Sequence, residues 1–116
     1  MAVATAKLSN LQISARKVRL VADLVRGKRI QDARDTLQFT IKDSAKPLLK
    51  LLESAVANAE NAAQESREDV DTDEMIIEHI VVNEGRTLQR YQPAPRGRAS
   101  RIRKRSSHVE IRIADK

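Results

Sequence analysis

Between Arg86 and Arg105 the chain carries eight positive side chains and no acid: Arg86, Arg90, Arg96, Arg98, Arg101, Arg103, Lys104 and Arg105. Seven of the eight are arginine, whose planar guanidinium forks onto phosphate with two parallel hydrogen bonds. A segment so charged repels itself and buries little apolar surface, so it is expected to be ordered where an extended polyanion surrounds it. A second basic set, Arg16, Lys17, Arg19, Arg26, Lys28 and Arg29, lies near the N-terminus. Charge is segregated along the chain. Residues 1–52 sum to +7, 53–85 to −9, 86–105 to +8 and 106–116 to zero, within a total of +6. Such blocks predict a binding side facing nucleic acid and an acidic side facing solvent.

The residues do not assemble into a catalytic or metal site. There is no cysteine, which excludes disulfides, thiolate zinc sites and cysteine nucleophiles. His79 and His108 lack partners at metal-binding spacing. Asp69, Asp71 and Asp73 alternate as in a calcium loop, but the glycine and closing glutamate of an EF-hand are missing, so 62–74 reads as a solvated acidic loop. With no phosphate loop, no G-x-S-x-G and no acidic pair in an apolar setting, neither an enzyme nor a cofactor is expected. The single Phe39, single Tyr91 and absence of tryptophan leave no platform for stacking bases. Any RNA must therefore be held through phosphates, sugars and shape. A helix-turn-helix over Ala15–Phe39 would put Asp32 and Asp35 of its second helix towards phosphates, which disfavours sequence-specific DNA binding.

The elements that must position these residues follow from periodicity. Lys7–Ile13 reads as a short strand. Ser14 is placed to cap a helix over Ala15–Arg26, with Val18, Val21, Ala22 and Val25 on its apolar face and Gly27 just past its end. A second helix is expected from about Gln31 to Phe39, burying Ile30, Ala33 and Leu37. A third is expected from about Asp43 to Asn61 with Leu48, Leu52, Ala55, Val56 and Ala59 inward and Pro47 in its first turn. The β-branched run after Met75 and the alternation of Val109, Ile111 and Ile113 predict two strands. They would be joined by one long hairpin bending near 93–97, its tip roughly 30 Å beyond the buried ends. If no bulge intervenes, Arg101, Arg103 and Arg105 share a face with Val109, Ile111 and Ile113. The expected fold is α+β, three helices packed on a small antiparallel sheet with a long protruding basic β-hairpin. Residues 1–82 and 107–116 would form the globular part and 83–106 the arm. No apolar run is long enough for a membrane span, and no secretory h-region begins the chain, so a cytoplasmic protein is expected.

Five motifs in order, Ser14–Lys28 (Ser-Ala-Arg-Lys-Val-Arg-Leu-Val-Ala-Asp-Leu-Val-Arg-Gly-Lys), Leu52–Asn61 (Leu-Glu-Ser-Ala-Val-Ala-Asn-Ala-Glu-Asn), Glu84-Gly85 with Leu88-Gln-Arg90, Arg96-Gly-Arg-Ala99 and Lys104-Arg-Ser-Ser-His108, resemble the L-twenty-two family of large-subunit ribosomal proteins in its bacterial form. The resemblance implies a structural component of the large subunit that binds 23S ribosomal RNA, supports assembly and contacts neighbouring large-subunit proteins. It also implies a hairpin tip lining the peptide exit tunnel, within reach of the nascent polypeptide. Carried over by position, the tip is Leu88, Gln89, Arg90, Tyr91, Pro93, Arg96, Gly97 and Arg98. The RNA anchors are the two basic sets, and Asn58 and Asn61 either touch RNA or end the third helix. This chain departs from the family pattern at Arg86, where proline is usual, at Gln89, where lysine is usual, and at Pro93-Ala94-Pro95 in place of Pro-Arg-Ala. A general basic RNA chaperone outside the ribosome is the alternative.

Overall fold

The computed structural model of the chain describes residues 3–67, 71–93, 97 and 99–114. Strand β1 (Val3–Leu11) leads into helices α1 (Ala15–Val25), α2 (Ile30–Phe39) and α3 (Ala45–Ser66). A 3-10 turn at Thr72–Glu74 precedes strands β2 (Ile76–Glu84), β3 (Leu88–Pro93), β4 (Ala99–Lys104) and β5 (Ser107–Ala114). Strands β1, β5 and β2 form one antiparallel sheet in that order, with β5 central; β3 and β4 pair only with one another.

The central position of β5 follows from its side chains. Ser107, Val109, Ile111 and Ile113 alternate inward and are all buried, whereas Glu110 and Arg112 face out. Across the sheet they meet Leu8, Ala6 and Ala4 of β1 and Val82, Ile80 and Ile77 of β2. Small residues on one neighbour and branched residues on the other leave room for α3 over β1 and α1 over β2. Helix α2 packs on both helices rather than on the sheet. The apolar stripe of α1 is buried as its spacing predicts, and so are Ile30, Ala33 and Leu37 of α2. Pro47 lies in the first turn of α3, where no intrahelical N–H is needed.

Both outer edges of this sheet are hydrogen-bonded to the helices or to the turn between α1 and α2. Along β2, Gly27 N–H donates to Ile77 O at 3.0 Å, Ile77 N–H to Lys28 O at 2.9 Å and Ile30 N–H to Met75 O at 2.9 Å. Gly27 needs its φ of +80° to turn the chain from α1 onto that edge. Further along, Arg26 Nη2 donates to Ile80 O at 2.9 Å, and Arg19 donates to Val82 O through Nε (3.2 Å) and Nη2 (3.0 Å). On the other edge Asn58 Nδ2 donates to Thr5 O at 2.8 Å. Blunting exposed edges in this way removes a template for strand addition.

Several expectations are corrected. Strand β1 begins at Val3, earlier than Lys7, because Ala4 and Ala6 supply an inward alternation that a hydrophobicity reading passes over. Helix α3 runs on to Ser66, so 62–66 is helical rather than part of the acidic loop. Its end is marked by Arg67 in the left-handed region at φ 56°. Ser14 occupies the N-cap position of α1 without a side-chain capping hydrogen bond. Asn58 does not end α3; it ties α3 to β1. Of the calcium-like triplet, Asp69 lies outside the described residues. Asp71 instead accepts from Asp73 N–H in a local turn, and no metal-binding cluster occurs among the described residues. No helix among them is long and apolar enough to cross a membrane.

Candidate nucleic-acid interface

The β3–β4 pair joins the sheet through an irregular joint. Glu84 faces Ser107 at the end of β2–β5, and Leu88 faces Lys104 at the start of β3–β4. Residues 85–87 therefore oppose only 105 and 106, a one-residue bulge of the kind that re-aims a strand. The extra residue lies on the outgoing strand, and on the return strand Arg103, Lys104 and Arg105 are all exposed. The joint is close-packed. Gly85 N–H donates to Ser106 O at 2.9 Å, and Ser106 Oγ to Arg86 O at 2.7 Å. A Cβ on Gly85 would lie 2.6 Å from Ser106 Oγ, 3.1 Å from His108 Nε2 and 3.2 Å from the Ser106 carbonyl carbon. On the far side, Asn10 N–H donates to His108 Nδ1 at 3.1 Å. Asn10 sits at φ 59°, within a β1 bulge where 9 and 10 oppose 108 alone.

This joint brings the two basic sets together. The first turn of α1 and the end of β4 enclose an open groove of about 750 Å³, lined by Gln12, Ser14, Arg16, Lys17, Leu20, Arg103, Lys104 and Arg105. It holds five cations and no acid. None of the five forms an ion pair among the described residues. Glu84 lines a small adjoining hollow with Arg16 and Arg105 without reaching ion-pair distance. A second hollow, of about 230 Å³, extends the basic surface to Arg86 beside Asn10, Gln12, Leu88, Lys104 and Arg105. Charges that line one groove reinforce one another's potential. An arrangement that gathers like charges without counter-charges binds phosphates and gains by releasing their counterions.

The remaining expected contacts divide. Arg19 and Arg26 are turned onto β2 carbonyls, and Arg26 also pairs with Asp23. Lys28 Nζ donates to Thr36 Oγ1 at 3.1 Å, and Arg29 stands 4.0 Å from Glu74. Each of these four has a partner within the protein, whereas Arg16 and Lys17 face the groove. For Arg90 and Arg101 the backbone register is described, opposite Ile102 and Tyr91 respectively. Arg96 and Arg98 lie outside the described residues. Of the expected tip residues, Leu88, Gln89 and Tyr91 are exposed, Pro93 pairs with Ala99, and Gly97 has φ 73°. Gln12 was not among the expected contacts. A lone glutamine in a turn carries no sequence signal until the fold sets it beside Lys17.

The acidic residues gather elsewhere. Arg34 links α2, α3 and the 3-10 turn, donating to Glu53 at 2.6 and 3.3 Å and to Asp73 at 3.0 Å. Burial lowers its pKa, but hydrogen bonding and charge from Glu53, together with Asp73, outweigh burial and leave it raised. Glu53 and Asp73 are thus held by Arg34, away from the cations at the joint.

A family model described as ribosomal protein L22p/L17e matches residues 6–114, nearly the whole chain. The match spans the core sheet, all three helices, the joint and both hairpin strands. The chain belongs to the ribosomal protein L22p/L17e family and is a structural, non-enzymatic protein of the large ribosomal subunit.

Proposed function

We propose that this protein binds 23S ribosomal RNA through the groove where α1 meets the base of the hairpin, supporting assembly, and that the hairpin runs from that anchor to line the peptide exit tunnel. The observation that carries the reading is the convergence of Arg16, Lys17, Arg103, Lys104 and Arg105 without an acid between them. Recognition is by phosphate and shape, because the described surface offers Tyr91 and Phe39 as its exposed aromatics and they lie on different elements. Arg86, Arg90, Arg96, Arg98 and Arg101 extend the positive potential along the arm. Leu88, Gln89, Arg90, Tyr91, Pro93, Arg96, Gly97 and Arg98 form the tip that meets the nascent polypeptide, and exposed surfaces of the core meet neighbouring large-subunit proteins. The domain division at 83–106 follows from the same reading: the arm is the part built to be enclosed.

The test is binding to 23S rRNA over a range of salt, comparing wild type with Arg103, Lys104 and Arg105 all changed to Ala. The slope of log affinity against log salt should flatten by up to about one unit per lost contact. Wild-type affinity and slope in the variant would remove the groove from the interface. For the tunnel, the absence of cysteine allows a single Tyr91→Cys probe. Crosslinking from Cys at that position to an arrested nascent chain is expected, and its absence in assembled ribosomes would remove the tip from the tunnel wall.

A further inference from the structure

His108 sits where two irregularities of the sheet meet. Its backbone belongs to β5, opposite Asn83 of β2 and opposite the β1 bulge at 9 and 10. A bulge leaves a residue without a ladder partner, and the ring of His108 supplies one. Asn10 N–H donates to Nδ1 at 3.1 Å, so Nδ1 is bare and the neutral ring holds its proton on Nε2. Nε2 lies towards Gly85, close enough that a Cβ there would stand 3.1 Å from it. The half-buried ring is therefore a wedge, with the β1 bulge at one nitrogen and the hairpin joint at the other. The hydrogen bonds that tie the hairpin to the sheet, Gly85 N–H to Ser106 O and Ser106 Oγ to Arg86 O, lie on the Gly85 side of this wedge.

A neutral imidazole is the form that fits. Histidine is the side chain that gains a positive charge between about pH 8 and pH 5. The added proton goes to Nδ1, where it turns the acceptor of Asn10 N–H into a donor that faces a donor. The charged surroundings act in the same sense. Arg86, Lys104 and Arg105 share a hollow with Asn10, and Glu84 shares another with Arg16, Arg105 and Gly85. On β1 the nearest charged residue in sequence, Lys7, stands opposite Glu110 rather than His108, and Asn83 of β2 is neutral. One carboxylate thus accompanies four cations, and a charged ring adds to the repulsion across the joint.

We propose that His108 is a pH-sensitive latch at the base of the hairpin. Neutral, it bridges the β1 bulge and Gly85 and fixes the direction in which the hairpin leaves the core. Protonated, it releases Asn10 and lets the joint pivot, while the apolar face of β5 (Val109, Ile111 and Ile113), which carries no titratable group, keeps the core sheet closed. The latch is a property of the protein alone and does not depend on the RNA-binding reading.

The test uses the full chain without RNA. The chain has no cysteine, so spin labels can be placed at Ala57→Cys on α3 and Gln89→Cys near the start of β3, both exposed. The distance between them is measured at about pH 8 and about pH 5.5, above and below the range in which histidine charges. A single narrow distribution is expected at the higher pH and a broad one at the lower. His108→Asn keeps an acceptor near the place of Nδ1 but takes up no proton, so its distribution is expected to stay narrow at both. His108→Ala removes the latch and is expected to be broad at both; should it not fold, wild type against His108→Asn decides. In parallel, nuclear magnetic resonance of the unlabelled protein is expected to show the Nε2–H tautomer at the higher pH and the Asn10 amide shifting together with the ring as it titrates. A wild-type distribution that is the same at both pH values would overturn the proposal. So would an Asn10 amide that ignores the titration, or a His108→Asn protein that broadens as wild type does, which would assign the response to another group such as Glu84.

Discussion

The three-stranded sheet and the two-stranded hairpin are both antiparallel, yet they answer to different forces. In the sheet, β5 has a partner on each side, two helices over one face and both edges of the sheet capped by Arg19, Arg26 and Asn58. In the hairpin, β3 and β4 have only each other, with Leu88 and Tyr91 exposed at 38% and 67%. An isolated two-stranded pair is marginal in water. The comparison teaches that one part of this molecule is stabilised by its own burial, whereas the other has little burial of its own to hold it.

The largest effect separates the two regions. Ile111, 1% exposed and set between Ala6 and Ile80, should cost about 2–5 kcal/mol when changed to Ala. Tyr91→Ala should change stability by less than about 0.5 kcal/mol. Chemical denaturation of both variants checks this, and a large loss from Tyr91→Ala would mean that the hairpin packs on something in the free protein. Next is the joint. Gly85→Ala forces a methyl against Ser106 and His108 and should destabilise by about 1–3 kcal/mol, together with reduced RNA affinity as the groove loses its geometry. Unfolding and 23S rRNA titrations read the two consequences separately.

The third effect splits a single helix. Arg19→Ala leaves Val82 O without its donor and should cost about 1 kcal/mol, with a small effect on RNA binding. Arg16→Ala should leave stability within about 0.5 kcal/mol and lower RNA affinity and its salt slope. The opposite pattern would exchange their roles. The smallest effect is at Ser107, whose buried hydroxyl has no hydrogen-bond partner among the described residues. Ser107→Ala should be neutral or slightly stabilising in a thermal melt, and a clear loss would reveal a partner for that hydroxyl.

How far the sequence reaches follows the same division. The stripe of Val18, Val21, Ala22 and Val25, the alternation of Val109, Ile111 and Ile113, and Gly27 as a helix terminator were legible because burial and φ leave local marks. The basic sets were legible as composition. What was hidden is the sorting within them. Nothing local distinguishes Arg19, which caps a strand 63 residues away, from Arg16, which faces the groove. The bulge at 85–87 was hidden for the same reason: it is a property of pairing between strands, and only Gly85 hints at it. Polar residues in α3 beyond Asn61 concealed its last turn, since exposure on a solvent side carries no apolar period.

The most direct measurement is amide hydrogen exchange on the free protein and on its complex with 23S rRNA. Expected is strong protection across β5 in both states, and protection of β3 and β4 that rises substantially only in the complex. Equal, strong protection of β3 and β4 in the free protein would contradict the claim that the hairpin is ordered by its RNA partner.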